Sequence, residues 1–406
     1  VTNHFQKSWL SGVGISLALA ASATMAEEVE LSGFIAGDLR AYPQSPRHDG
    51  QSDAHLNPSL VIQPELRYEW NDGDDRVSFI PYLRLDPQDA RRTHGDIREL
   101  NWLHRADGWD IKVGADKVFW GVAESNHLID IINQTDAVED IDGEDKLGQP
   151  MVNFGFQQDW GSLNLIAMPY FRERTFAGRG GRLRSSMIVD TDQTTYDSGA
   201  KEWAPDFAVR YATYIGDWDI GLAHFHGTSR EATLRVGTDG GGSAVWVPHY
   251  DRIDQTSIDV QATIEEWLWK LEAMTRSGQG DRFGAFVAGL EYTYFGVSES
   301  GADLGLLAEY QYDGRDSDAP SVSTDNDIFL GARYTLNDTD DTDILGGVVY
   351  DHENHTTFFQ VEADTRLNDN WTIEGELRVL GHVAADDPYF GVRDDHHLQI
   401  RLSRYF

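Results

Sequence analysis

Hydrophobic and polar residues alternate along most of the chain, in runs of about ten residues. In the stretch from Val61 to Trp70, Ile62, Leu66, Tyr68 and Trp70 fall on one face, and Gln63, Glu65, Arg67 and Glu69 fall on the other. From Trp109 to Lys117, Trp109, Ile111, Val113 and Ala115 oppose Asp110, Lys112 and Asp116. The stretches Trp371 to Val379 and Leu398 to Leu402 repeat the pattern. A period of two marks an extended strand with one apolar and one polar face. Eighteen such strands are expected, at 29–39, 61–70, 76–85, 96–105, 109–118, 150–158, 161–171, 205–215, 217–226, 255–264, 266–275, 283–295, 303–312, 326–335, 342–350, 356–366, 371–380 and 396–406.

The connections alternate in length. Short ones include Asn71 to Asp75, Ala106-Asp107-Gly108, Asp159-Trp160, Gly216 and Glu265. Long ones are 40–60, 86–95, 119–149, 172–204, 227–254, 313–325 and 381–395, with two brief exceptions on the same side, Ser277 to Arg282 and Asp351 to His355. In an up-and-down sheet, odd connections lie at one end and even ones at the other, and outer-membrane barrels have short periplasmic turns and longer extracellular loops. The pattern predicts an all-β, transmembrane, antiparallel up-and-down β-barrel of eighteen strands, sixteen being the alternative, with the third long loop folded inward. A soluble pair of sheets would be expected to show a domain boundary and a propeller a repeat of about 40–50 residues; neither is visible.

Residues 1–26 read as a secretory signal: Lys7 supplies the positive charge, Val13 to Ala21 the short apolar core, and Thr24-Met25-Ala26 a small-residue cleavage site. The remainder, 27–406, is expected to form a single barrel domain.

Composition narrows the partners. The 12 Trp, 16 Tyr and 18 Phe in 406 residues exclude wholesale disorder, and the absence of Cys excludes disulfides and thiolate chemistry. With 33 basic against 68 acidic residues, the formal charge of -35 disfavours nucleic acid. Aromatics gather at strand ends (Tyr68, Trp70, Trp102, Trp109, Trp218, Trp267, Trp269, Tyr292, Tyr294 and Trp371), as interfacial girdles do. The last residues, Arg401-Leu402-Ser403-Arg404-Tyr405-Phe406, end in the terminal Phe of a barrel insertion signal, with Arg404 where that signal has an apolar residue.

The signal, strand pattern and terminal Phe together resemble the general porin class of Gram-negative outer-membrane proteins. Phe119 to Ser125 (F-W-G-V-A-E-S), followed by Asn133-Gln134-Thr135-Asp136, resembles the loop start of porin-like barrels. The resemblance implies residence in the bacterial outer membrane among lipid and lipopolysaccharide, passive diffusion of small hydrophilic solutes, and a homotrimer.

A barrel of this size leaves a lumen that strand side chains alone do not fill, so function depends on what narrows it. The loop 119–149 carries Glu124, Asp130, Asp136, Glu139, Asp140, Asp142, Glu144 and Asp145 against Lys146 alone. Its Leu128 to Ile132 (L-I-D-I-I) is apolar enough to pack on a wall, and His127 to Asn133 is expected to make a short helical turn. Such a loop is expected to act as an acidic constriction favouring cations or neutral polar solutes. Strand alternation places Arg67, Lys112, Arg210, Arg333, Arg366, Arg378 and Arg401, together with Glu65, Glu374 and Glu376, on the polar pore wall; the strands of Arg84 and Arg98 alternate too poorly to assign. The basic wall is expected either to set a transverse field or to satisfy neighbouring carboxylates.

No catalytic residues, metal ligands or cofactor site are assigned. No Gly-x-Ser-x-Gly elbow occurs, and Gly237 to Gly242 (G-T-D-G-G-G) reads as a flexible loop tip. The acidic group Asp136, Asp140, Asp142, Glu144 and Asp145 offers the oxygen ligands calcium takes, without the spacing of an EF-hand. The alternative function is surface binding or adhesion by a non-channel barrel, through loops 172–204 and 227–254.

Overall fold

The structure, a computed structural model, describes residues 28–406; the expected signal lies outside them. Among the described residues, twenty-one strands follow one another. They are β1 (Glu28–Ala41), β2 (Leu56–Trp70), β3 (Asp75–Leu85), β4 (His94–Ala106), β5 (Trp109–Asp116), β6 (Gln149–Gln158), β7 (Gly161–Met168), β8 (Thr195–Tyr196), β9 (Asp206–Ile215), β10 (Trp218–Thr228), β11 (Thr233–Thr238), β12 (Ala244–Tyr250), β13 (Arg252–Ile264), β14 (Trp267–Ser277), β15 (Phe283–Tyr294), β16 (Asp303–Asp313), β17 (Asn326–Thr335), β18 (Asp343–Asp351), β19 (Thr357–Asn368), β20 (Trp371–Leu380) and β21 (His397–Tyr405).

Eighteen of them form one antiparallel sheet. The sheet closes because β1 pairs with β2 on one side and β21 on the other, from Phe34↔Tyr405 to Ala41↔Leu398. Each of the eighteen expected segments coincides with one barrel strand. The remaining three, β8, β11 and β12, were not anticipated; they form a separate small sheet built from the β7–β9 and β10–β13 connections. Gly237 to Gly242 is the tip of its β11–β12 hairpin, where Asp239 accepts from the backbone N–H groups of Gly241 and Ser243 at 2.8 Å.

The strand faces divide as the alternation demands. Val29 (62% exposed) and Leu330 (54% exposed) belong to a belt of outward leucines, isoleucines and valines on every side of the barrel. A water-soluble fold would bury that surface; here lipid covers it. No helix among the described residues is long and apolar enough to cross a membrane, and the crossing is made by strands. Aromatic rings crowd the short-turn ends: Trp267 lies 4.7 Å from Tyr292 and 5.8 Å from Trp269, and Tyr68 stacks on Trp70 at 5.3 Å, ring centre to ring centre. The turns there are tight. Gly108 and Gly216 hold the positive φ angles of 75° and 63° that such hairpins require.

Two inner-wall strands break period. Pro81 lacks the N–H a ladder needs. The pairing of β3 with β4 jumps there from Ile80↔Glu99 to Pro81↔Ile97, leaving Arg98 as the extra residue of a bulge. This turns Arg98 into the barrel and buries it.

Candidate functional site

The connection between β5 and β6, residues 117–148, has no regular secondary structure of its own. Its apolar side is buried: Trp120, Ile129, Ile131 and Ile132 pack against Met151, Ile166, Met168, Ala223, Phe225, Ile253, Met274 and Phe283. Those wall residues sit on adjacent strands from β6 to β15 and face inward, so this arc of the lumen is apolar where the loop lies on it. Burying each of the three isoleucines contributes about 1.5–3 kcal/mol. Instead of the expected helical turn, the segment makes one tight turn, with Asp130 N–H donating to the His127 carbonyl at 3.2 Å.

An irregular segment away from water must find partners for its backbone N–H groups. Two wall carboxylates serve. Glu272 on β14 accepts from Val122 at 2.6 Å, Ala123 at 2.8 Å and Ile129 at 3.1 Å. Glu309 on β16 accepts from Glu124 and Ser125, each at 2.8 Å. At its other end the loop is tied to β4, where Asp136 pairs with Arg98 at 2.7 Å and His94 at 3.0 Å. In the closed sheet, β4 and β16 stand nine strands apart in either direction. The loop therefore runs from one wall of the lumen to the wall diametrically opposite.

Seven of its eight acids are matched by a cation. Glu124 meets Arg333 at 2.8 Å and Lys270 at 3.2 Å; Asp130 meets Lys146 at 3.1 Å. Glu139 meets Arg84 at 2.5 Å, Asp140 meets Arg40 at 2.6 Å, and Asp142 meets Arg378 at 2.6 Å. Glu144 meets His127 at 3.2 Å. Burial alone would raise the Asp136 and Asp140 carboxyls. The neighbouring cations outweigh it, His94 and Arg98 at Asp136 and Arg378 and Arg40 at Asp140, and hold both well below the usual range. Burial would lower the His127 imidazole, but the bond to Glu144 and the charges of Glu144, Glu272 and Asp130 push it up to about 9. Asp142 and Asp145 are the two acids of the group exposed to open space.

The wall residues named from sequence all face inward by their register. Arg67 pairs with Glu65 at 3.1 Å, Lys112 with Asp116 at 2.7 Å, Arg210 with Asp259 at 2.7 Å and Arg401 with Asp38 at 2.7 Å. Arg366 pairs with Asp341, Arg378 also with Glu376, and Glu374 lies 3.9 Å from Arg401. Of the seven basic residues, Arg333 and Arg378 form ion pairs with the loop, and Arg210 places its guanidinium over the Trp120 ring at 5.4 Å. Of the other anchors, Arg40, Lys270, Glu272 and Glu309 escaped the sequence reading, and Arg84 and Arg98 were left unassigned by it. A charged residue on the apolar stretches of β14 and β16 was the available signal.

No family model matches the chain, and no curated protein matches it. Among solved structures, it resembles Wzi, an Escherichia coli outer-membrane protein involved in group 1 capsule assembly and described as a carbohydrate-binding β-barrel. The two are 9% identical, with 93% of this chain and 84% of that one covered and a TM-score of 0.52. It is also similar to a doubly substituted porin of Rh. blastica (10% identity, 93% of this chain and all of that one, TM-score 0.45). The Vibrio cholerae outer-membrane protein OmpT lacking its loop L8 is another (10% identity, 94% of this chain and all of that one, TM-score 0.45). At such identities the shared feature is the fold. The chain folds as a closed, eighteen-stranded antiparallel β-barrel that matches the fold of known outer-membrane porin-like proteins.

Proposed function

We propose that the protein is an outer-membrane channel for small hydrophilic solutes, in which the loop 117–148 forms the constriction. The observation that carries this reading is the wall-to-wall course of the loop between Arg98 and Glu309. A segment held at both walls narrows the water-filled path without swinging clear of it. Because most loop acids are paired with cations, a cation preference is modest; it rests on the exposed edge of the loop, Asp142 (itself paired with Arg378) and Asp145 with the neighbouring Glu144 (itself paired with His127). Purified protein in planar bilayers is expected to give stepwise conductance. Replacing these three residues by Asn, Asn and Gln is expected to move the reversal potential in a salt gradient toward anions. A barrel that never conducts would contradict the proposal.

A second reading, surface binding, is favoured by one observation. The β8–β12–β11 sheet and its flanking loops border a cavity of about 450 Å³ lined by Tyr170, Glu173, Thr194, Tyr196, Lys201 and Glu202. Tyr196 donates its hydroxyl to Glu173 there. Aromatic rings beside hydrogen-bonding groups suit a polar ligand such as a surface glycan. Deleting the β11–β12 hairpin would then abolish glycan adsorption and leave conductance intact.

A further inference from the structure

Among the described residues, three groups bring a histidine and two carboxylates within 4.8 Å of one another. Two of them are satisfied internally. In one, His94 shares its Nε2 with Asp136 at 3.0 Å and its Nδ1 with the Arg92 carbonyl at 2.9 Å. In another, His249 is held between Thr195 at 2.8 Å on one ring nitrogen and Asp197 and Asp251 at 3.2 and 3.1 Å on the other.

The third, Asp140, Glu376 and His397, differs. It lies where the loop 117–148 meets β20 and β21, and His397 is 1% exposed. Its Nδ1 faces the Asp395 carbonyl at 3.0 Å, which fixes the tautomer with the proton on Nδ1. Nε2 is then a lone-pair donor, and it is buried with no hydrogen-bond partner. A backbone carbonyl orienting one ring nitrogen so that the other is free is the arrangement metal-binding histidines adopt.

The charge around it is unbalanced. Arg378 lies within ion-pair reach of Asp140 at 3.6 Å, Asp142 at 2.6 Å and Glu362 at 3.8 Å, as well as Glu376, while Arg40 adds a bond to Asp140 at 2.6 Å. Four carboxylates share two guanidiniums. We propose that Asp140, Glu376 and His397 bind a divalent transition-metal ion, joining the loop to the wall at the seam between β20 and β21. One imidazole nitrogen with two carboxylate oxygens is a donor set for Zn²⁺, whereas Ca²⁺ takes oxygen alone. The ion would balance the excess of carboxylates over guanidiniums and give His397 its missing partner. This inference is independent of conduction.

The test is calorimetric titration of the full barrel in detergent micelles, stripped with EDTA, against ZnCl₂. One saturable site per chain is expected, indifferent to excess Ca²⁺. His397→Gln removes no ion pair, so the anchoring arginines stay in place, and it is expected to weaken binding by at least about tenfold. His249→Gln is expected to leave it unchanged. Absence of saturable binding, undiminished binding in His397→Gln, or loss in His249→Gln would each overturn the assignment.

Discussion

Arg84 and Glu139 form a two-pronged ion pair inside the barrel, Nε to Oε1 at 2.9 Å and Nη2 to Oε2 at 2.5 Å, with both side chains shut off from water. Arg84 comes from β3 and Glu139 from the crossing loop, so the pair fixes loop to wall. Arg84 also pairs with Asp38, so losing Glu139 strips it of part, not all, of its compensation. Glu139→Ala should cost on the order of 1–3 kcal/mol and lower the heat-unfolding midpoint. Arg67→Ala, which breaks a half-exposed pair with Glu65, should change the midpoint little. Equal effects of the two would contradict the buried anchoring role.

The His127–Glu144 pair, which ties two parts of the loop to each other, makes the loop's internal bracing pH-dependent. His127 is raised from an unfolded value near 6.5 to about 9. A group whose folded value is raised contributes stability fully below the unfolded value and loses it as pH rises through the folded one. The contribution should therefore be complete below about pH 6.5 and gone above about pH 9. Current noise in bilayers is expected to grow across that window, and His127→Gln should remove the dependence. Noise that rises on acidification instead would reverse the sign.

Lipid exposure can be checked on the outward face. Leu330 on β17 points away from the lumen, while Gln63 on β2 points into it. An arginine on the lipid face near the bilayer midplane costs about 2–4 kcal/mol, whereas the lumen hydrates it. Leu330→Arg should impair refolding into vesicles and Gln63→Arg should not, as read by the heat-dependent gel shift. Comparable refolding of both would place Leu330 outside the apolar belt.

The barrel was legible because its signal is local: each strand writes its own alternation, and each turn its own length. Ile129, Ile131 and Ile132 likewise announced that the third loop would lie on a surface. What stayed hidden was non-local. The stretch 119–149 shows eight acids and one lysine, so it reads as an unscreened acidic ring. Its counter-ions come from Arg40, Arg84, Arg98, Arg333 and Arg378, on strands brought together only by closure. Arg98 was further masked by the bulge opposite Pro81, and Arg40 lies one residue past the expected end of the first strand. The β11–β12 hairpin was missed because its strands alternate weakly and stand outside the barrel's rhythm.

The account rests on the loop reaching the far wall, at Ser125 beside Gln311 of β16, where Gln311 Nε2 donates to Ser125 Oγ at 2.8 Å. The chain has no cysteine, so a Ser125→Cys, Gln311→Cys variant carries the only two thiols. Treating it with a short bismaleimide in intact membranes should join residues 125 and 311, detected by proteolysis and mass spectrometry, in nearly every chain. Two cysteines that are each modified separately and never joined would mean that the loop does not cross the lumen.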